Sequence, residues 1–308
     1  MTPTVTLLGP QRRPSVQQVV RGMDAGSSFA VVTAGWLERE SDDAELRQLL
    51  GGRAVNLTLH SRWLDVLERD PEYAIAEREH EAALTELRQL YLLQLDHALE
   101  AAYATAERRE GRPRLRENAL DDAVTLVRML DQQHLARVRQ AQHAFFDAWR
   151  PQERPAVSHH REEVRRLLGS AGTLVIAGGH VGRLVDVLHL FHVAPSVPAT
   201  VIAWSAGAMA LAEQVVLFHD YVPHGVAQTE VSGEGLGVLH DLVLLPHARR
   251  RLRVEDQVRM SVLARRFEPA RCLVLDDGVR VDLTSDGQLP EDARVLTRDG
   301  QISSRLAA

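Results

Sequence analysis

The sequence predicts an α/β fold: a doubly wound, mostly parallel sheet with helices on both faces, plus a long inserted helical hairpin. At the start of the chain, short apolar segments alternate with amphipathic helical segments, which is typical of parallel βαβ units. Residues 71–155 then carry two long helical patterns and no strand pattern. After them, several apolar segments end directly at polar residues, which places candidate functional side chains at one edge of the sheet.

The composition is that of a globular protein that buries a large core. The chain has 308 residues, of which 45% are hydrophobic. We interpret residues 1–308 as a single α/β domain that contains the hairpin of residues 71–155. The net charge of −6 and the absence of a basic block argue against a nucleic-acid partner.

The cysteine content and the hydropathy pattern indicate the cellular compartment of the protein. The single cysteine, Cys272, rules out an internal disulfide and fits a reducing compartment. The N-terminus shows no signal-peptide pattern, and no apolar run reaches the roughly 18 residues of a membrane span. We therefore expect a cytoplasmic protein with no membrane partner.

The predicted elements follow the hydrophobic periodicity. Strands are expected at 4–8, 29–33 and 54–59, with helices at 16–23 and 42–50 between them and a loop at 34–41. After the insertion, a polar linker at 150–161 would leave His159 and His160 exposed. The later predicted elements are helix 162–168, strand 173–177, a strand ending at 202, helix 206–217, strand 242–246, helix 251–265, strand 271–275 and C-terminal hairpins.

The insertion consists of two helical patterns, 74–109 and 118–149, joined by a break at Gly111 and Pro113. Leucines recur along both patterns, so each helix has an apolar face that needs a partner. These faces offer more apolar surface than one two-helix contact hides. We expect a further contact, either in a homodimer or as a cover over the functional site.

Ser205 lies where an apolar strand gives way to a helix within about two residues. Val201 and Ile202 are β-branched strand formers, and good helix formers start at Ala206. A serine at such a corner projects its hydroxyl from the carboxyl edge of the sheet, as in a nucleophile elbow. An ordinary turn that contains serine is the alternative.

Other polar groups also follow apolar strands, namely His247 and the pair Asp276 and Asp277. A serine nucleophile needs a base, and that base needs an orienting carboxylate, so this set could form a catalytic triad. The chain order Ser, His, Asp differs from that of the α/β-hydrolases, in which the acid precedes the histidine. The histidine in a solvated loop and the acids in a plain turn are the alternatives.

The motif Ala-Trp-Ser-Ala-Gly-Ala, with Gly178-Gly179 before it and Leu-Leu-Pro-His after it, resembles the peptidase E and cyanophycinase family of serine peptidases. The similarity covers 160–285 well and 1–60 weakly, and it leaves the hairpin uncovered. It implies a flavodoxin-like fold of the class I glutamine amidotransferase type.

The resemblance also assigns roles by position. It implies Ser205 as nucleophile, His247 as base and Asp277 as the acid, with Asp276 as an open alternative. Gly179 and Ala206 would supply the amides of the oxyanion hole. The implied substrate-binding residues are Gly178, His180, Trp204, Arg251 and Arg253. His180 and Ala203 depart from the residues usual in the family, which leaves the family's known substrates, aspartyl dipeptides and cyanophycin, in question.

The leading interpretation is a serine hydrolase, similar to dipeptidase E or cyanophycinase, that cleaves a small peptide or amide bond by acyl transfer. Arg251 and Arg253 would favour an acidic substrate, unless they form a solvated basic run or pair with Glu255 and Asp256. No metal and no organic cofactor is expected. The alternative is a diverged, inactive member that acts as a binding or scaffold protein. An amidotransferase is disfavoured because that chemistry uses cysteine at the elbow.

Overall fold

The computed structural model describes residues 3–11, 15–24, 27–220, 228–283 and 287–304, and it confirms the predicted fold class. Within this part of the chain, the central sheet has six strands in the order β10-β1-β5-β4-β2-β3. These strands are β1 Thr4–Leu8, β2 Phe29–Val32, β3 Ala54–Asn56, β4 Thr173–Ile176, β5 Thr200–Trp204 and β10 Arg280–Asp282.

The core of the sheet is parallel. β5 pairs with β1 on one side and β4 on the other, and β4 continues through β2 to β3, all in parallel. β10 is the antiparallel edge strand beside β1. Every residue of β2 and β4 is buried, because helices cover both faces of the sheet. The shorter helices are α1 Val16–Arg21, α2 Ala44–Leu49, α7 Val181–Leu190, α8 Ala206–Leu211, α9 Ala248–Arg251 and α10 Gln257–Phe267.

A second sheet carries the later strands in the order β12-β11-β9-β8. We expected residues 242–246 and 271–275 to end at the same edge as the central strands. They form β8 Leu242–Pro246 and β9 Arg271–Leu275, which are parallel to each other but hydrogen-bonded outside the central sheet. β11 Arg294–Leu296 and β12 Ile302–Ser304 complete this sheet as an antiparallel pair.

The helix after Ser205 is shorter than the predicted 206–217. It ends at Leu211, and β6 Gln214–Leu217 pairs with β7 Glu230–Glu234. Backbone amides of residues 235–239 donate hydrogen bonds to the last carbonyls of this helix. The Leu236 amide donates to the carbonyl of Ala210 (2.8 Å), and the Val238 amide donates to that of Leu211 (2.9 Å). Because these carbonyls find partners outside the helix, the chain can leave the helical path there.

α3 Leu59–Arg69 has no counterpart among the predicted elements. Its N-terminus is capped from a distance, because the Glu40 carboxylate accepts hydrogen bonds from the amides of His60 (2.9 Å) and Ser61 (2.8 Å). A carboxylate 20 residues away gives no local signal of a helix start.

The predicted linker at 150–161 is largely helical, since α6 extends over Pro155–Gly169. The prediction that His160 is exposed is wrong. Its ring is buried, with Nε2 2.7 Å from Asp65 and Nδ1 2.9 Å from Arg62. His159 is exposed, as predicted.

The insertion forms the predicted hairpin, with α4 Pro71–Glu107 and α5 Pro113–Trp149 antiparallel. Its inner face packs on α10 and β7. Arg266 of α10 is buried and donates to both oxygens of Asp131 (2.7 and 2.6 Å), and to the hydroxyl of Tyr91 (3.0 Å). Because separating this pair would leave a buried charge uncompensated, the contact fixes how the hairpin packs on α10.

The outer surface of the hairpin keeps apolar side chains exposed, including Leu90 and Leu93 on α4 and Leu126 and Met129 on α5. The homodimer contact expected from the sequence stays a prediction. Among the helices of the described residues, none has the length and apolar character needed to cross a bilayer.

Candidate active site

Ser205 occupies the turn between β5 and α8, where the sequence places it. Its backbone has φ 50° and ψ −122°, a conformation that is costly for a residue with a side chain. The turn ends the strand abruptly and leaves the serine half-buried, between the buried end of β5 and the buried α8. Strain of this kind persists only where the surroundings enforce it, and it is typical of a nucleophile elbow.

Glycines on both sides of Ser205 allow the close packing that enforces this turn. A Cβ on Gly178 would lie 2.8 Å from the Cβ of Ser205, and one on Gly207 would lie 2.2 Å from the carbonyl oxygen of Ile176. Real Cβ atoms do not approach so closely, so any larger residue would displace its neighbour. The end of β4 and the start of α8 therefore hold the serine between them.

His247 follows β8 and reaches Ser205 across the boundary between the two sheets. Its Nε2 lies 3.5 Å from the Oγ of Ser205. The histidine backbone is left-handed (φ 58°, ψ 32°), and its amide donates to the carbonyl of Leu275 at 3.2 Å. Two non-glycine residues with positive φ thus face each other, and catalytic hydrogen bonds are often this long before substrate binds.

The predicted oxyanion amides lie beside this pair. Gly179 has φ 126°, which only glycine adopts readily, and a Cβ there would lie 2.2 Å from the carbonyl oxygen of Gly35. The same carbonyl accepts the His180 amide at 2.7 Å and so fixes this backbone. Ala206 begins α8, where the first amides have no partner inside the helix. Their role as oxyanion donors stays a prediction.

The predicted acid is not brought to the histidine. Asp277 is exposed and makes no hydrogen bond or ion pair within the described residues. The carboxylate of Asp276 accepts the Arg249 amide at 3.1 Å and lies 3.5 Å from the Arg249 Nε. Neither aspartate forms a hydrogen bond or ion pair with His247 in the part of the chain that the structure describes. The assignment of Asp277, or of Asp276, as the orienting acid stays a prediction.

A cleft of about 640 Å³ surrounds the pair. The end of β5, the glycine pair, a 3₁₀ segment (Ala34–Arg39) and α2 all contribute to its walls. Of the predicted site residues, those that line the cleft are Gly178, Gly179, Trp204, Ser205, Ala206, His247 and Arg251. His180 and Arg253 are not among its lining residues. The Nδ1 of His180 instead accepts the Arg183 amide at 3.1 Å and caps α7.

The two predicted substrate arginines differ in their surroundings. The Arg251 side chain is half-buried in the cleft, and burial lowers its pKa from the ordinary value. It makes no hydrogen bond or ion pair to another described side chain, so the alternative of pairing with Glu255 or Asp256 is not realised for Arg251. Arg253 is exposed, outside the cleft.

Asp220, which sequence reasoning missed, holds this arginine segment in place. Its buried carboxylate accepts the Arg253 amide at 2.9 Å and pairs with Arg259 at 2.8 Å. Its own amide donates to the carbonyl of Arg251 at 2.6 Å. Asp220 follows the strand β6, so its position after an apolar run was the available signal.

A second missed group supports the wall behind the glycine pair. The carbonyl of Glu40 accepts hydrogen bonds from the Thr33 hydroxyl (2.9 Å) and the Asn56 amide group (3.2 Å), while its carboxylate caps α3. These contacts hold the segment that contains Gly35, whose carbonyl fixes the His180 amide. The sequence had predicted a plain loop here.

The chain matches no protein-family model and no curated protein. Among solved structures, it is similar to one described as the crystal structure of a peptidase from an acI-B1 Actinobacterium. The likeness covers 97% of this chain and 92% of that chain, with 12% sequence identity and a TM-score of 0.45.

Proposed function

We propose that this protein is a serine hydrolase that cleaves a small peptide or amide bond by acyl transfer, as the resemblance to peptidase E and cyanophycinase implies. The observation that carries the proposal is the strained Ser205, with its Oγ 3.5 Å from the Nε2 of His247, at the base of a large cleft. A strained backbone at a site with a nucleophile and a base is a recurring mark of catalysis.

In this mechanism, the Oγ of Ser205 attacks the carbonyl carbon of the substrate while its proton passes to the Nε2 of His247. The amides of Gly179 and Ala206 donate hydrogen bonds to the carbonyl oxygen as it becomes an oxyanion. His247 then gives its proton to the leaving amine, and the acyl-serine forms. Water attacks the acyl-serine by the same route in reverse, which releases the acid and restores the serine.

The surroundings of the pair favour a small substrate that carries a carboxylate. Arg251 lies in the cleft without a carboxylate partner among the described residues, and burial lowers its pKa. An unpaired, half-buried guanidinium is stabilised by an incoming carboxylate, which it can bind through two hydrogen bonds. We therefore propose an acidic side chain or a free peptide carboxylate next to the scissile bond.

A fluorophosphonate probe tests the proposal directly, because it reacts only with an activated serine. We expect the purified full-length chain to be labelled at a single position, Ser205, as read by peptide mass spectrometry. Ser205→Ala should abolish labelling, and His247→Ala should slow it by about 10² or more. Heat-denatured protein is the control for non-specific reaction. If the folded chain is not labelled, or if Ser205→Ala is labelled equally, the hydrolase proposal is wrong.

A diverged, non-catalytic binding protein is the second candidate. It is favoured by one observation: neither Asp276 nor Asp277 forms a hydrogen bond or ion pair with His247 in the described part of the chain. An unlabelled serine, together with saturable binding of carboxylate-bearing dipeptides in the cleft, would support this candidate instead.

A further inference from the structure

A second cavity, of about 180 Å³, lies between the helical hairpin and α7. The hairpin contributes side chains from both α4 and α5, and the sheet domain contributes α7 with the β6–β7 pair. Val181, the first residue of α7, lines both this cavity and the catalytic cleft. Neither Ser205 nor His247 lines it, so the cavity is separate from the proposed catalytic pair.

The apolar part of the cavity suits a small branched aliphatic group. Leu84 and Val138 line it from the hairpin, and Val185 and Val215 line it from α7 and β6. Branched side chains on opposite walls leave room for a few carbon atoms, and burying such a group is favourable by about 0.8 kcal/mol per CH₂.

The charged groups of the cavity favour a cation over an anion. The guanidinium of Arg88 is already neutralised, because its Nε and Nη2 donate to the buried carboxylate of Glu230 at 3.0 and 2.6 Å. Asp186 lines the cavity as well, with its side chain about half exposed, and its ion pair to Arg183 is long at 3.8 Å. The other acid on the wall, Glu234, has a close arginine partner. The negative charge of Asp186 is therefore the one least balanced by a neighbour.

A neutral hydrogen-bond acceptor adds to this preference. His134 is buried on the cavity wall and stacks on Tyr91 with ring centroids 4.1 Å apart. Its Nε2 makes no hydrogen bond to any described residue. Burial lowers the pKa of His134, so the ring is uncharged at neutral pH, and in the tautomer with the proton on Nδ1 its Nε2 accepts a hydrogen bond.

We propose that this cavity is a second binding site, which takes a small primary amine with a branched aliphatic body. The aliphatic walls hold the body, and the ammonium group lies near Asp186. The site stands independently of the proposed hydrolase, because its residues are not those of the catalytic pair.

Three probes of nearly equal shape test the charge preference: isobutylamine, isobutanol and isobutyrate, titrated into the full-length protein at pH 7.5 and followed by ligand-observed NMR. We expect isobutylamine to bind at least tenfold more tightly than isobutanol, and isobutyrate to bind more weakly still. Asp186→Asn should remove most of the preference for the amine. Asp122→Asn, an exposed acid on α5 outside the cavity, is the matched control and should change nothing.

The location is tested by filling the cavity from either wall. Val185→Phe from α7 and Thr85→Phe from the exposed side of α4 should each weaken amine binding at least tenfold. Thr85→Phe covers the case in which Val185→Phe fails to fold, and thermal melting identifies folded variants. Ser205→Ala should bind the amine like the wild type. Equal binding of the three probes, or undiminished amine binding in a folded variant with either phenylalanine, would overturn the proposal.

Discussion

The Oγ of Ser205 lies 3.5 Å from the Nε2 of His247, although the two residues follow strands that belong to different sheets. Each residue has a positive φ, 50° for the serine and 58° for the histidine. The two turns therefore direct their side chains toward the same cleft, and each holds a conformation that an unconstrained chain would avoid.

The backbone strain at Ser205 should appear as a difference in the free energy of unfolding between two variants. We expect Ser205→Gly to be about 1 kcal/mol more stable than Ser205→Ala, because glycine adopts this conformation without a clashing Cβ. Chemical denaturation of both variants gives the difference. Ser170, at a helix end with φ −92°, is the matched control, and there the glycine variant should be the less stable one. If the glycine variant is less stable than the alanine variant at position 205 as well, Ser205 is not strained.

Close packing at Gly178 should be essential for the serine. In Gly178→Ala the new methyl group would lie 2.8 Å from the Cβ of Ser205, so one of the two has to move. We expect fluorophosphonate labelling to slow at least tenfold, since small displacements of a nucleophile are costly. Gly169→Ala, whose new methyl meets nothing within 4 Å, should label normally. Unchanged labelling of Gly178→Ala would show that the turn tolerates the shift.

Replacing Arg251 should weaken the preference for substrates that carry a carboxylate, whereas replacing Arg253 should not. Arg251→Gln should lower kcat/KM for a carboxylate-bearing dipeptide roughly 30- to 150-fold, which corresponds to a loss of about 2–3 kcal/mol of transition-state stabilisation. For the carboxamide isostere, kcat/KM should barely change. Arg253→Gln should leave both substrates unaffected, because that side chain lies outside the cleft. Equal losses on the two substrates would assign Arg251 a structural role.

Glu77 should make the stability depend on pH. Burial raises the pKa of this carboxyl to about 7, even though its Oε1 accepts a hydrogen bond from the Trp63 indole at 2.7 Å. Because the folded-state pKa exceeds the unfolded one, the unfolded chain binds fewer protons between these values, and stability falls as pH rises from about 4.5 to 7. The expected total is roughly 3 kcal/mol.

Glu77→Gln keeps the acceptor for Trp63 and removes the titration. This variant should therefore be more stable than the wild type at pH 8 and nearly equal to it at pH 5, by chemical denaturation at each pH. Glu79→Gln, an exposed position on the same helix, is the control. A wild-type and a Glu77→Gln profile that stay parallel over this range would contradict the prediction.

The elements predicted well from the sequence are those whose start and end depend on neighbouring residues in the chain. The strands around Ser205 and His247 are continuous apolar runs, so their ends could be located and their polar followers identified. α3 was missed because its N-terminal cap comes from Glu40, 20 residues earlier in the chain. The helix after Ser205 was predicted too long because segment 235–239, which satisfies its last carbonyls, is likewise distant in sequence.

The sequence predicts the site only through the polar residues that directly follow predicted strands, because the end of a strand locates the residue after it. The strand ends bring Ser205 and His247 together, but they do not decide which carboxylate orients the histidine, since that depends on the conformation of a turn. Asp276 faces Arg249 and Asp277 faces solvent. The division into two sheets was also hidden, because parallel strands look alike whichever sheet they join.

The buried pairing of Arg266 with Asp131 has a consequence for biosynthesis. The two residues are 135 positions apart, so the ribosome completes both helices of the hairpin long before it makes their counter-charge. Until then, the nascent hairpin has an acid on the face that will later be buried, and it cannot dock stably. A chain that ends before Arg266 therefore carries the Asp131 carboxylate on this face without its counter-charge.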